Sequence, residues 1–320
     1  MKKIKALNPE KPISNLSPKN PRRDFLRRFC IIGMAGYFSP FLITKTSAAV
    51  VEQQRYKVAV CDWMILKRQK LGAFALAKEI GADGIQLDMG GLGARDTFDS
   101  KLNDPENVRQ FLEESKSQNI AISSIAMSGF YGQSFANRPT VPQMVDDTLA
   151  TMERMDIEIA YLPLGVDSDF SKEPGLREKV IQRLKEAGEK AKKMNKVIAV
   201  ETSLDAKEER AFLKEISSPA VKSSFNFANA IKNERDIIKE LKILGKENIA
   251  QIHCSDTDGV WIENNPKLDM PKIKRALDKM GWSGWLIIER SRDVNDVRNV
   301  KGNYGANARY MKSVFQQESV

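Results

Sequence analysis

The chain has one histidine, His253, and it stands where the apolar run of IAQIH meets the acids of CSDTDG. Residues 249–253 read as a buried strand, and SDTDG reads as the loop that follows it. Three other short runs also close on a group able to do chemistry: VIAV on Glu201, KSSF on Asn226 and WLII on Glu289. Two carboxylates, an amide oxygen and an imidazole form a donor set that can hold a divalent cation and leave positions for water or substrate oxygens. Asp62 and Trp63, Gln86 and Asp88, Asp256, Trp261 and Arg292 lie at or just beyond the ends of other runs.

These residues can cooperate only if the elements beneath them bring the run ends together. Eight strand candidates follow one another: KVAVC (57–61), GIQLD (84–88), AISSIA (121–126), IAYLPL (159–164), VIAVE (197–201), KSSFN (222–226), IAQIH (249–253) and WLIIE (285–289). Between them lie segments with apolar residues three and four apart, among them LGAFALAKEIGA, NVRQFLEESKSQ, VPQMVDDTLATMERM, REKVIQRLKEAGEKAKKM, ERDIIKELKILG and MPKIKRALDKMG, the spacing of amphipathic helices. Eight βα units in about 250 residues match a (β/α)8 TIM barrel, whose active site lies at the C-terminal ends of the strands. An open doubly wound sheet would carry a glycine-rich phosphate loop after its first strand. CDWMILKRQK is not such a loop, and GGLG (90–93) lacks the spacing. In a barrel, Glu201, Asn226, His253 and Glu289 close strands five to eight in succession, on one rim.

From about Lys57 to Gln316 the chain resembles the sugar phosphate isomerase/epimerase superfamily, the xylose isomerase-like TIM barrels. The resemblance rests on CDWMILKRQKLGAFALAKEIGADGIQLDMGG, AVETSLD, SSFNFANA, IHCSDTDG and KLDMPKIKRALDKMGWSGWLIIERSRD. It implies a divalent metal, Mn2+ or Mg2+ with Co2+ or Zn2+ as alternatives, held by Glu201, Asn226, His253 and Glu289. Asn226 stands where the family has aspartate, a neutral donor in place of a charged one. The family's glycine-rich turn after strand seven reads VWIENNPKLD here. The resemblance further implies that Glu201 and Glu289 move protons on opposite faces of a ketose. Taking a proton from carbon beside a carbonyl requires stabilisation of the developing enediolate, and a second glutamate can return the proton to the other face.

The expected activity is isomerisation or epimerisation of a free sugar or keto-sugar. A hydratase or lyase on an oxidised sugar or glycoside would use the same site, and a non-catalytic sugar-binding barrel is the reading from another class. Metal-dependent phosphodiester cleavage is disfavoured, because multinuclear sites of that kind lean on several histidines. Asp62, Trp63, Asp88, Asp256, Trp261 and Arg292 are the expected substrate contacts, with Trp63 and Trp261 able to stack on the apolar face of a sugar ring. Lys67 and Arg68 are weaker candidates for an acidic substituent. Trp282 and Trp285 flank the start of strand eight and are expected to pack.

The formal charge is +9 from 51 basic and 42 acidic residues, but residues 1–49 hold ten of the basic and two of the acidic ones. The remainder is close to neutral and has no basic stripe with interleaved aromatics, which argues against a nucleic-acid partner. Residues 1–49 have the layout of an export signal. Arg22 and Arg23 followed by DFL resemble the twin-arginine motif, CIIGMAGYFSPFLI is an apolar core shorter than the roughly 20 residues of a membrane span, and cleavage is expected after Ala49. The mature protein, 50–320, is expected to be a single periplasmic domain without a stable membrane span, with homo-oligomerisation left open. Two cysteines beyond the leader, Cys61 and Cys254, do not suggest a disulfide scaffold.

Overall fold

The structure, a computed structural model, describes residues 54–316; the predicted leader over 1–49 lies outside them. Eight parallel strands form a closed barrel in sequential order. They are β1 (Tyr56–Cys61), β2 (Gly84–Asp88), β3 (Ala121–Ala126), β4 (Ile159–Pro163), β5 (Val197–Glu201), β6 (Val221–Asn226), β7 (Ile249–His253) and β8 (Gly284–Ile288). β8 pairs with β1 through Tyr56↔Gly284 to Val60↔Ile288, which closes the ring. The helices are α1 (Gly72–Ile80), α2 (Pro105–Gln118), α3 (Val141–Met155), α4 (Arg177–Lys193), α5 (Ala206–Ile216), α6 (Phe227–Lys232), α7 (Ile237–Leu244), α8 (Met270–Met280) and α9 (Val300–Phe315). Among the described residues no helix is long and apolar enough to cross a membrane.

Side chains alternate along a strand, and here the two faces differ in kind. Val58, Val60, Ile85, Leu87, Leu162, Val200, Leu286 and Ile288 pack outward into the main apolar core against the helices. The inward face is much more polar: Cys61 Sγ contacts Gln86 Oε1, Gln86 Nε2 donates to Ser124 Oγ at 2.8 Å, and Gln251 Nε2 donates to Ser224 Oγ at 3.1 Å. A small apolar cluster of Ala59, Cys61 and Ile287, with Trp63 and Trp285 packed against it, fills the rest. The N-terminal end of the barrel opens on a hollow of about 590 Å³ bordered by Lys57, Ser123, Glu158, Ala250 and Trp285. Trp282 is buried there, and its indole N–H donates to the carbonyl of Ile249.

Helix ends follow local chemistry. Asp205 and Glu208 form a reciprocal capping box at the start of α5, while α1, α2, α3 and α8 end on left-handed Gly81, Asn119, Asp156 and Gly281. In the loop after β2, Gly90 has φ +101° and a Cβ there would lie 2.2 Å from the carbonyl oxygen of Asp99. Glycine is therefore required where this loop folds back over the barrel rim.

Candidate active site

Glu201 is the last residue of β5 and points inward, as alternation with outward Val200 requires. His253 ends β7, is fully buried, and pairs in register with Asn226 at the end of β6. Glu289 follows β8, where two partners fix its backbone. Its N–H donates to Ser255 Oγ at 3.1 Å, and its carbonyl accepts from the Tyr304 hydroxyl at 2.7 Å. Ser255 belongs to the loop directly after His253, so one turn positions both residues.

The three ionisable groups converge. His253 Nδ1 lies 3.4 Å from Glu201 Oε2 and 3.6 Å from Glu289 Oε2. Burial alone would lower the imidazole pKa, but the two carboxylates outweigh it and push the value up to about 9. Burial would raise Glu289, yet His253, Tyr131 and Arg290 together hold it below the usual carboxylate range.

Two tyrosines complete the cluster. Tyr161, inward on β4, donates to Glu201 Oε2 at 2.9 Å, and Tyr131 donates to Glu289 Oε1 at 2.9 Å. Their hydroxyl oxygens lie 2.5 Å apart. The Tyr161 ring also packs on the imidazole, with centroids 4.6 Å apart. Burial, reinforced by the nearby carboxylates, raises both phenol pKa values well above normal. A closed ring results: His253, Glu201, Tyr161, Tyr131, Glu289 and back to His253. Neither tyrosine was among the residues picked from sequence. The signal available was a lone hydroxyl-bearing residue at an inward position of the otherwise apolar IAYLP; Tyr131 lies in a short 3-10 turn, Ser128–Tyr131, with no periodic signal at all.

Among the described residues no three His, Cys, Asp or Glu side chains already form a metal cage. Glu201, His253 and Glu289 nonetheless fit a cation. Both imidazole nitrogens are buried without a hydrogen-bond partner, and Nδ1 faces two carboxylate oxygens at separations that two donors to one ion can have. Asn226 is adjacent and 8 % exposed, but its side-chain oxygen accepts from the Ala228 N–H at 2.8 Å and caps α6. It can share that oxygen through a second lone pair, without charge.

The other candidates stand apart from the ring. Asp62 and Asp88 are fully buried beneath the β1 and β2 loops. Asp62 Oδ2 accepts from the Gln69 N–H, while Asp88 Oδ2 accepts from Ser128 Oγ at 2.6 Å and pairs with Arg68 Nε at 2.8 Å. Burial and then the Asp88 charge raise Asp62 well above normal; burial raises Asp88 to about 6 against the pull of Arg68. Trp63 is half-buried against Ala59, Cys61 and Ile287. Asp256 accepts from the Thr257 N–H and Asn265 Nδ2, and Trp261 Nε1 donates to Asn303 Oδ1 on α9. Arg292 is committed to a bidentate pair with Asp258 at 2.9 and 2.7 Å.

Barrel, strand-end glutamates and central histidine together define a class. The chain belongs to the xylose isomerase-like TIM barrel family, whose profile matches residues 74–314. Comparison with curated proteins gives no significant match. Solved structures with the same fold include a D-psicose 3-epimerase with D-tagatose from Clostridium cellulolyticum H10, at TM-score 0.64 and 12 % identity over 81 % of this chain and 99 % of that one. They also include a 3-keto-D-glucoside 4-epimerase from E. coli, at TM-score 0.62 and 15 % identity over 81 % and 99 %. A xylose isomerase domain protein from Planctomyces limnophilus aligns at TM-score 0.61 and 16 % identity over 83 % and 100 %.

Proposed function

We infer that this protein is a metal-dependent epimerase or isomerase of a free sugar or keto-sugar, with Glu201 and Glu289 as the proton-transferring pair. The observation that carries this reading is the convergence of two glutamates, one ending β5 and one following β8, on Nδ1 of one buried imidazole. The epimerases among the structural relatives support the substrate class.

Glu201, His253 and Glu289, with the neutral oxygen of Asn226, would hold the divalent ion, which when bound supplies positive charge to an enediolate developing on the substrate. Glu201 and Glu289 each keep a carboxylate oxygen free of the tyrosines, Oε1 and Oε2 respectively. One glutamate takes the proton from the carbon beside the carbonyl. The other delivers a proton to the opposite face, giving an epimer, or to a neighbouring carbon, giving an isomer. Tyr131 and Tyr161 hold the two carboxyl groups in place.

Two measurements test the reading. After equilibration with manganese and gel filtration, the protein should retain about one ion per chain, the occupancy expected of a single metal site, and His253→Ala should lose it. Deuterium incorporation from D2O into a panel of ketoses and keto-glycosides, followed by NMR, should give label at one carbon and identify the product as epimer, isomer or elimination product. Absence of exchange, with sugar affinity unchanged in Glu201→Gln and Glu289→Gln, would instead establish a binding barrel.

A further inference from the structure

One cation at the mouth of the barrel has hydrogen-bond donors to spare. Gln86 faces the barrel interior, so alternation turns Asp88, two residues on, to the same inner side at the C-terminal end of β2. Asp88 Oδ2 accepts from Ser128 Oγ at 2.6 Å and pairs with Arg68 Nε at 2.8 Å, while Oδ1 accepts from the Gly90 N–H. Arg68 therefore lies over the β2 side of the mouth, with Nη2 3.5 Å from Ser128 Oγ. Ser128 opens the four-residue turn that ends in Tyr131, whose hydroxyl reaches Glu289, so a single turn joins Arg68 to the ring. Asp88 is fully buried, but the Arg68 side chain is 45 % exposed and its Nη1 meets no acceptor among the described residues. Arg292 provides the contrast, since it gives donors at 2.9 and 2.7 Å to both oxygens of Asp258. Asp88 takes a single nitrogen of Arg68 and leaves the outer edge of the guanidinium facing solvent.

The geometry points to Arg68 as a substrate-recognition residue, and to a substrate that carries a carboxylate. This rests on the epimerase or isomerase reading above and names its substrate class as a sugar acid. A guanidinium edge donates two parallel N–H bonds to a planar carboxylate, and Nη1 with the second N–H of Nη2 is such an edge. The backbone that carries it is fixed in advance. Leu66 and Gln69, on either side of Arg68, have φ of +60° and +47°, a conformation that costs non-glycine residues energy. Gln69 is held there by three bonds: its N–H donates to Asp62 Oδ2, its Nε2 donates to the carbonyl of Asp88 at 2.8 Å, and its Oε1 accepts from the Lys101 N–H at 2.9 Å. A guanidinium needed only to neutralise Asp88 would be better placed with two donors on that carboxylate, as Arg292 is on Asp258. One that meets a ligand needs an open edge on a rigid loop, because a group ordered before binding loses less freedom when the ligand arrives. The same contacts decide the ligand's charge. Arg68 brings one positive charge, already shared with Asp88, which suits a monoanionic carboxylate better than a dianionic phosphate.

Binding without turnover tests this. The probes are matched pairs, D-glucuronate with D-glucose, D-galacturonate with D-galactose and D-gluconate with D-glucitol, titrated calorimetrically into the manganese-equilibrated protein. At least one acid should bind about tenfold or more tightly than its neutral partner, the worth of a hydrogen-bonded contact to a charged group. Arg68→Gln should remove that advantage, so that acid and neutral sugar bind alike. A carboxylate held by the metal instead would keep its advantage in Arg68→Gln, and that result overturns the assignment. Arg68→Lys serves if Arg68→Gln fails to fold: it keeps a positive charge beside Asp88 but lacks the fork, and should lose most of the preference. No preference in the parent, or a preference that persists in a variant with unchanged circular dichroism, overturns the proposal. The 6-phosphates of glucose and galactose form a further arm. Binding tighter than that of the acids, and lost in Arg68→Gln, would make the anion a phosphate and overturn the sugar-acid class. Where an acid undergoes deuterium exchange, Arg68→Gln should raise its KM about tenfold or more, with a smaller effect on kcat. Failure of exchange beside an intact Arg68-dependent preference would remove the epimerase reading alone, because calorimetry reads binding without turnover.

Discussion

His253 is the only nitrogen among the converging donors, and two carboxylates supply charge at its Nδ1. Neither glutamate can therefore be neutralised without cost to the other two groups. Glu201→Gln and Glu289→Gln should each lower turnover by about 10²- to 10⁴-fold, the usual contribution of a positioned acid or base, with substrate affinity changed far less. Separate measurement of kcat and of ligand binding checks this. Three members of the ring were legible in the sequence because each ends an apolar run, where a polar group is conspicuous. The tyrosines were not. A phenol is largely apolar, so Tyr161 blends into IAYLP as a core residue, and only the barrel's curvature brings Tyr131 to Glu289 across 158 residues of sequence.

At the level of elements, β6 and α6 meet at one residue. Asn226 ends the strand, borders the site and caps the helix through the Ala228 N–H. Asn226→Ala should destabilise the fold by about 1 kcal/mol through loss of the cap, seen as a lower midpoint in urea. Asn226→Asp should keep the cap and add a charge toward the imidazole and carboxylates. In a competition with a chelator it should retain manganese at a higher chelator concentration than the parent. The eight strands were readable to within a residue or so of their ends because β-branched runs bounded by turn residues have few other meanings. Three helices, α5 among them, were not named from the sequence, and two of these have weak patterns. In α6, only six residues long, the capping asparagine directly follows strand residues. In α9, GNYGAN near the start weakens a pattern that recovers its apolar face only at Ala308, Met311 and Phe315. Tertiary contact decides these segments more than local propensity does.

For the whole molecule, the paired carboxylates of Asp62 and Asp88 tie stability to pH. In an unfolded chain both would ionise near 3.8, whereas in the barrel Asp88 holds its proton to about 6 and Asp62 well beyond normal, and the two titrate as a pair. The folded state then binds more protons than the unfolded one across this window, so their contribution to stability falls as pH rises from about 4 through about 6. Asp62→Asn removes one of the two ionisations and can keep the acceptor for the Gln69 N–H. The difference in Tm between this variant and the parent should move in the variant's favour from pH 4.5 to pH 7.5, by roughly the few degrees that about 1 kcal/mol represents in a domain of this size. A constant difference would show that the pair does not share its protons. The barrel itself was legible from the number of runs. The polar filling of its interior was not, since Gln86, Ser124, Ser224 and Gln251 satisfy one another only across strands.

Of the five residues in the ring, Glu201, His253 and Glu289 are set by strand ends and Tyr161 by the middle of β4, while Tyr131 sits in a single short turn. Most of the ring is therefore carried by the strands and not by the loops that follow them. A change at the β3 loop alone should reach the ring through Tyr131, whereas changes in loops that carry none of its members should leave the ring in place.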